Sequence, residues 1–533
     1  MIHSIKTLYK KNLNCSRCSQ STNRWRTVFV KESCGFRSEN PRILFMQVCK
    51  DVTMRLVACR RSAVQIFFNC RLLIIMTFFS KITIIKNVNA IDVFQDWLND
   101  YLNFEHNPKK EIFWLDTIDY LCKRFDNPQD YAPCIHVAGS KGKGSVSRLI
   151  SCILDEAGYN VGLYTSPHIT DFRERICTPT GFFSEEIYEQ TVKELMPNID
   201  SIIPENLPAE RPLTWFELVT LYAFLCFRNA KVDWSVFEVG LGGRLDATNV
   251  IRPKICCITP IELEHTEFLG DTLEKIAAEK AGIIKNCTPV ILARQQTESV
   301  KIVLREKAIT RHAPYYFVDE LINNAYYHFN GEPKKMFVHF ESELFNRPIE
   351  TQMQLLGKAQ AQNAAMAALT IKKILPNLDE GIIERGLAKA KLPGRFEILE
   401  NVKGYTEIPA LILDGAHTLN SIRLTVDTLN KLFGEKKVSL LFACAADKDV
   451  KDISMLFRYR FEHVYVTRPG ERKQSDLNAE IEAFTHAEIK FTADADYKMM
   501  IKKALEESAA SGNLLLVTGS FYLVSEVKEF LKS

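Results

Sequence analysis

The chain has 533 residues, 46% apolar and 25% charged, which leaves room for two or three packed domains and excludes a fibrous, low-complexity or wholly disordered protein. Its net charge of +3 conceals an asymmetry. Residues 1–90 carry 16 Lys+Arg against three acids, leaving 52 bases and 62 acids in an acidic body without a basic, aromatic-interleaved stripe, so nucleic acid is a poor partner.

The basic head holds six of the 15 cysteines, and Cys15-x-x-Cys18 lacks the second ligand pair that a zinc knuckle needs. Its apolar run, 63–79, is broken by Asn69-Cys70-Arg71 and falls short of the about 20 uninterrupted residues of a membrane span. Residues 1–90 read either as an organelle transit peptide or as an untranslated leader, with Met76 as the start. The remaining cysteines are scattered, several inside apolar runs such as Ile255-Cys256-Cys257-Ile258, and read as buried thiols of a reducing compartment.

From Ile91 to about Tyr131 the spacing is helical, with Phe94, Trp97, Leu98, Tyr101 and Leu102 on one face and a second pattern over Ile112–Phe125. Ile135–Ala138 reads as a strand, 139–145 as a glycine-lysine loop, and Val146, Leu149, Ile150, Ile153, Leu154 and Ala157 as one buried helix face that Gly158 ends. Gly139, Gly142 and Gly144 allow backbone N–H groups to crowd an anion, and the helix N-terminus and Lys143 add positive charge. The strict Walker spacing asks for glycine where Val137 stands, so a structural turn is the competing reading.

A strand over 161–164, leading to Thr165-Ser166-Pro167-His168, completes an expected βαβ unit. Thr214 and Glu217 fit a capping box for a helix through Leu225. The strand 232–238 ends on Glu238 ahead of a glycine run, the position where a triphosphate enzyme holds magnesium; an exposed strand-end carboxylate is the alternative. The strand 255–261 delivers Glu262, Glu264, His265 and Glu267 to the same edge, and Asp271 is expected to cap a helix through Lys280. After a strand at 289–293, residues 300–355 lose clear periodicity, with short strands at 315–317 and 336–340 expected in an inserted or peripheral sheet. A small-residue helix follows at 360–371, and Pro393-Gly394 reads as a hinge. Beyond it, strands at 410–413, 438–443, 463–466 and 514–517 alternate with helices such as 421–432, a second α/β domain.

These segments resemble the folylpolyglutamate synthase and dihydrofolate synthase family of the Mur-type ATP-dependent ligases. The resemblance is carried by His136–Ser145, Leu163–His168 with Arg173-Glu-Arg175, Glu238–Asn249, His265–Gly270, Glu279–Lys285 and Asp414-Gly-Ala-His417, in order over 91–533. It implies an α/β fold, with a phosphate-loop ATPase domain around a parallel sheet (91–393) and a C-terminal Rossmann-like domain (394–533). It further implies that ATP lies on Gly139, Gly142, Lys143, Gly144 and Ser145, with Gln360 and Asn363 at the adenine and Arg395 and Asp414 reaching across. Magnesium would fall to Ser166, Glu238 and His265, joined by Lys280 if carbamylated, with an ordinary solvated lysine as the alternative there. Lys143, His265, Lys280, Asp414 and His417 are thereby implied in catalysis.

Three positions depart from the family's usual residues: Lys141 replaces a frequent Asn, Glu264 an Asp, and Thr418-Leu419 an Asn-Pro. The implied activity joins L-glutamate to tetrahydrofolate, or also to dihydropteroate, through an acyl phosphate. A muropeptide ligase needs a further nucleotide domain that 91–131 cannot supply, and a phosphate-loop NTPase switch would not need the 414–417 domain. The expected protein is a cytoplasmic monomer acting on small molecules without a membrane, or a mitochondrial one if residues 1–90 are a transit peptide.

Overall fold

Along β1 (Cys134–Ala138) successive side chains enter different layers: Ile135 and Val137 join one apolar cluster, while Cys134 and Ala138 face the opposite side. A strand buried on both faces is the signature of a parallel sheet covered by helices. The computed structural model describes residues 89–103, 114–329, 335–471 and 473–532. Residues 1–88 of the basic head and Ile112 lie outside the described residues.

Two helices, α1 (Ala90–Leu98) and α2 (Asp116–Arg124), precede β1; the first is shorter than the apolar spacing predicts, leaving Tyr101 and Leu102 beyond its end, where Leu102 bridges to Thr214. The phosphate loop follows β1 and leads into α3 (Lys143–Glu156), whose Val146, Leu149, Ile150, Ile153 and Leu154 are all buried. Burying each such aliphatic side chain contributes about 2 kcal/mol. The chain continues through β2 (Val161–Tyr164), β3 (Ile176–Cys177), α4 (Glu185–Asp200), α5 (Trp215–Asn229), β4 (Trp234–Glu238) and β5 (Ile255–Ile258). Next come α6 (Leu273–Ala281), β6 (Val290–Leu292), α7 (Glu298–Thr310) and β7 (Tyr315–Phe317).

The seven strands pair in the order β3-β2-β4-β1-β5-β6-β7, parallel except for β3. The expected βαβ unit therefore skips a position, because β4 lies between β1 and β2. This insertion sets Glu238, at the end of β4, between the loops that follow β1 and β2.

Three expectations are corrected. Thr272, not Asp271, caps α6: its side chain accepts from Lys275 N, whereas the Asp271 carboxylate turns outward to Lys275 Nζ at 2.8 Å. Residues 298–310 are helical; only Val300, Leu304 and Ala308 are buried, a stripe too narrow to stand out against exposed Ile302 and Ile309. Tyr315–Phe317 is not peripheral but the edge strand of the main sheet, bound to β6.

A separate antiparallel sheet comprises β8 (Asn323–Phe329), β9 (Met336–Glu341) and β10 (Ile349–Met353). Helices α8 (Lys358–Ile374) and α9 (Glu380–Lys389) return to pack on α3. The last sheet has the order β11-β12-β16-β13-β14-β15. Its members are β11 (Glu397–Leu399), β12 (Leu411–Leu413), β13 (Val438–Phe442), β14 (His463–Val466), β15 (Thr492–Ala493) and β16 (Leu514–Thr518). It is parallel apart from β11, and its helices include α10 (Leu419–Phe433) and the C-terminal α11 (Phe521–Lys532). Among the described residues no helix is long and apolar enough to cross a membrane, and the nine cysteines are free thiols, all buried but Cys287.

Candidate active site

Parallel strands end at one edge, and β1, β2, β4 and β5 bring their following loops together there. The loop after β1 passes so close to β5 that a Cβ on Gly139 would lie 1.8 Å from Thr259 Oγ1, and its φ of +139° excludes most other residues. A Cβ on Gly144 would stand 3.2 Å from Glu238 Oε2, so the bare first turn of α3 lets that carboxylate approach the helix N-terminus. Ser145, also in this turn, is buried.

Two ammonium groups converge on one backbone oxygen. Lys143 Nζ donates to the Gly139 carbonyl at 3.1 Å, and Lys280 Nζ donates to it at 2.8 Å. Lys280 is only 1% exposed and also bonds Glu264 Oε1 at 2.8 Å, so it is no solvated helix lysine. Burial pushes its ammonium down to about 8. Burial alone would raise Glu264, yet Lys143, Lys280 and Lys141 hold it near 2. This geometry is that of an ammonium; a carbamate on Lys280 would repel Glu264 and require it to move away.

Glu238 is buried rather than an exposed strand end, and its Oε2 accepts from Ser166 N at 3.2 Å. Burial raises its carboxyl, opposed by Lys143 and Arg395. His265 takes a left-handed conformation, φ +47°, at the start of a four-residue helix, and burial lowers its ring to about 4, which leaves a neutral imidazole. Among the described residues no three His, Cys, Asp or Glu side chains converge into a metal-holding set. The Glu238 carboxylate and the Ser166 hydroxyl nevertheless suit a hard cation that takes few protein ligands and completes its shell with phosphate oxygens and water.

The second sheet contributes from the opposite side. The Arg395 guanidinium lies 4.4 Å over the Phe521 ring, and its charge interacts with Asp414 and Glu238. The Asp414 carboxylate is held by Phe396 N at 2.8 Å and Ala416 N at 2.7 Å, while burial raises it. His417 Nδ1 lies 2.8 Å from the Gly415 carbonyl and so carries the proton, leaving the Nε2 lone pair 3.4 Å from Lys141 Nζ. Gln360 and Asn363, on α8, bond each other at 3.1 Å, and Asn363 underlies Gly142. A cavity of about 540 Å³ opens beside these groups, lined by Gly144, Arg148, Ser166, Glu238, Arg395 and Phe521.

Every expected site residue thus lies at or under the facing sheet edges. Sequence reasoning missed Thr259, Arg148 and Phe521. Thr259 could have been found as the first polar residue after an apolar strand; nothing local distinguishes the other two.

Two facing α/β units with a lysine-bearing phosphate loop on one and an Arg-Asp-His set on the other define a ligase of the Mur type. The Mur ligase middle domain family matches residues 137–371, and the Mur ligase, glutamate ligase domain family matches 394–521. The chain is 31% identical over 445 residues to dihydrofolate synthase/folylpolyglutamate synthase of Bacillus subtilis, covering 82% of this chain and 98% of that one. It also resembles Mycobacterium tuberculosis folylpolyglutamate synthase complexed with ADP and AMPPCP, with a TM-score of 0.72, 26% identity and coverage of 83% and 98%. For E. coli FolC in complex with DHPP and ADP the TM-score is 0.68, with 25% identity and coverage of 84% and 98%. The chain belongs to the dihydrofolate synthase/folylpolyglutamate synthase family, ATP-dependent amide ligases.

Proposed function

We propose that this ligase joins the amine of L-glutamate to the γ-carboxylate of a reduced folate, and also to dihydropteroate, by way of an acyl phosphate. The observation that supports it best is the meeting of the loop with the second domain, Lys141 Nζ to His417 Nε2 at 3.4 Å, beside a cavity that carries both Glu238 and Arg395. A single-domain NTPase would have no use for that arrangement.

In this reading Lys143, Ser145 and the loop amides bind the triphosphate, Gln360 and Asn363 border the adenine, and Arg395 and Asp414 complete the nucleotide site from across the cleft. Ser166, Glu238 and His265 would hold magnesium, which when bound would supply positive charge against the phosphates. The neutral His417 would stand beside the transferred phosphoryl group, and Lys280, bonded to the Gly139 carbonyl and paired with Glu264, would fix the loop from beneath. Carbamylation of Lys280 would add an anionic ligand once Glu264 has swung away; tryptic mass spectrometry after chemical trapping detects it. The divisions 91–393 and 394–533 meet at Pro393-Gly394, where Gly394 adopts φ +65° and its carbonyl accepts from Gly415 N at 2.9 Å. We take the enzyme to be a cytoplasmic monomer without nucleic-acid or membrane partners, and residues 1–90, if a transit peptide, to direct it to mitochondria.

The test is ADP release measured separately with tetrahydrofolate and with dihydropteroate. Release is expected only when glutamate and an acceptor are both present, and chelation of magnesium should stop it. Release with neither substrate would support an NTPase switch, and activity with one acceptor alone would assign a single synthase.

A further inference from the structure

We propose that Lys141 is a positioning residue through which the phosphate loop engages the second domain and holds His417 at the phosphoryl-transfer site. The inference rests on the ligase reading above and assigns a role to the loop position where this chain departs from the family's frequent asparagine.

Both ends of the contact are anchored by backbone. Lys141 N donates to the Pro260 carbonyl at 3.3 Å, which ties its main chain to the exit of β5. His417 lies at the start of α10, where its own N–H and that of Thr418 donate to Ser421 Oγ at 3.1 and 2.9 Å. The ring is further fixed by Gly415, so its bare Nε2 faces the loop. Between two fixed main chains the long Lys141 side chain makes the link at 3.4 Å; an asparagine there would end well short.

The charges nearby give the contact its sensitivity. Glu264 and Glu262 attract the Lys141 ammonium, while Lys143 and Arg395 repel it. Lys448 and Arg395 act on His417 from its own side. An anion in the cradle would offset this excess of cations. A second link between the same stretches, Asn420 Nδ2 to Glu262 Oε1 at 2.6 Å, contains no cation.

A double-mutant cycle with Lys141→Asn, His417→Ala and the double variant tests this, reading kcat for glutamate-dependent ADP release and, separately, affinity for a non-hydrolysable ATP analogue. Each single variant should lower kcat by about tenfold or more, with the double no worse than the poorer single, because both remove one contact. Analogue affinity of Lys141→Asn should stay within about threefold of wild type, and Lys141→Arg should recover part of kcat. Multiplicative losses in kcat, or a fall in analogue affinity with kcat unchanged, would overturn the proposal. Absence of ligase turnover in the wild type would reject the functional reading instead. The cycle is then scored on the Tm of the ligand-free protein, in which the contact is present, where non-additive shifts support the contact and additive ones refute it.

Discussion

The Gly139 carbonyl accepts from both Lys143 and Lys280, which places two like charges together where a triphosphate is expected. Their mutual repulsion disfavours the empty cradle and is relieved by an anion. Lys143→Ala should therefore lower turnover by a factor on the order of 10²–10³, with circular dichroism and Tm little changed; unchanged turnover in steady-state assays would remove Lys143 from the phosphate site. A second carboxylate makes a pH prediction. Glu480 is buried, its Oε1 accepts from Cys444 N at 3.1 Å, and its Oε2 has no hydrogen-bond partner among the described residues. Burial pushes this carboxyl up to about 8 from an ordinary value near 4.5. The folded state then holds a proton that the unfolded chain has released. The favourable contribution is complete below about 4.5 and is lost as pH rises toward 8. Glu480→Gln, which cannot ionise, should become more stable relative to wild type across that window, as denaturant melts at pH 5 and 8 would measure. Lys143 and Glu238 were legible in the sequence because each ends or follows a recognisable strand. The Lys280–Glu264 pair was not, since its partners meet only through the turn between β5 and α6.

Among the elements, α5 shows local and tertiary signals in agreement. Thr214 caps it in a reciprocal box with Glu217, whose carboxylate accepts from Thr214 Oγ1 at 2.7 Å, and its side chains are buried from Trp215 to Phe227 save Phe216. Thr214→Ala should cost about 1 kcal/mol, read as a lower midpoint in urea unfolding; a change of a few tenths would mean that packing alone fixes the helix start. By contrast α7 escaped the periodicity argument because three buried positions carry it, and α6 starts one residue later than expected because the threonine hydroxyl reaches the backbone while Asp271 finds a lysine. Helix termini depend on such local competition, so boundaries are less legible than the elements themselves.

At the scale of the whole molecule, one apolar cluster runs from Ile135 and Val236 of the first sheet through Ala364 and Leu369 of α8 to Ile412 and Leu440 of the second. The two sheets are thus joined by core as well as by the site. If Arg395 reaches bound nucleotide, Arg395→Ala should reduce the Tm gain produced by a saturating ATP analogue, because stabilisation follows affinity by mass action. An unchanged gain in differential scanning fluorimetry would confine Arg395 to packing against Phe521. By itself the sequence determined the glycine-lysine loop, most of the succession of strands and helices and the charged residues at strand ends, since periodicity, glycine placement and capping act over a few residues. Tertiary structure decided the insertion of β4 between β1 and β2, the burial of Lys280 on Glu264 and the meeting of Lys141 with His417. Strand order and long-range pairs follow from how whole layers bury their apolar faces, a condition that no local stretch of chain can state.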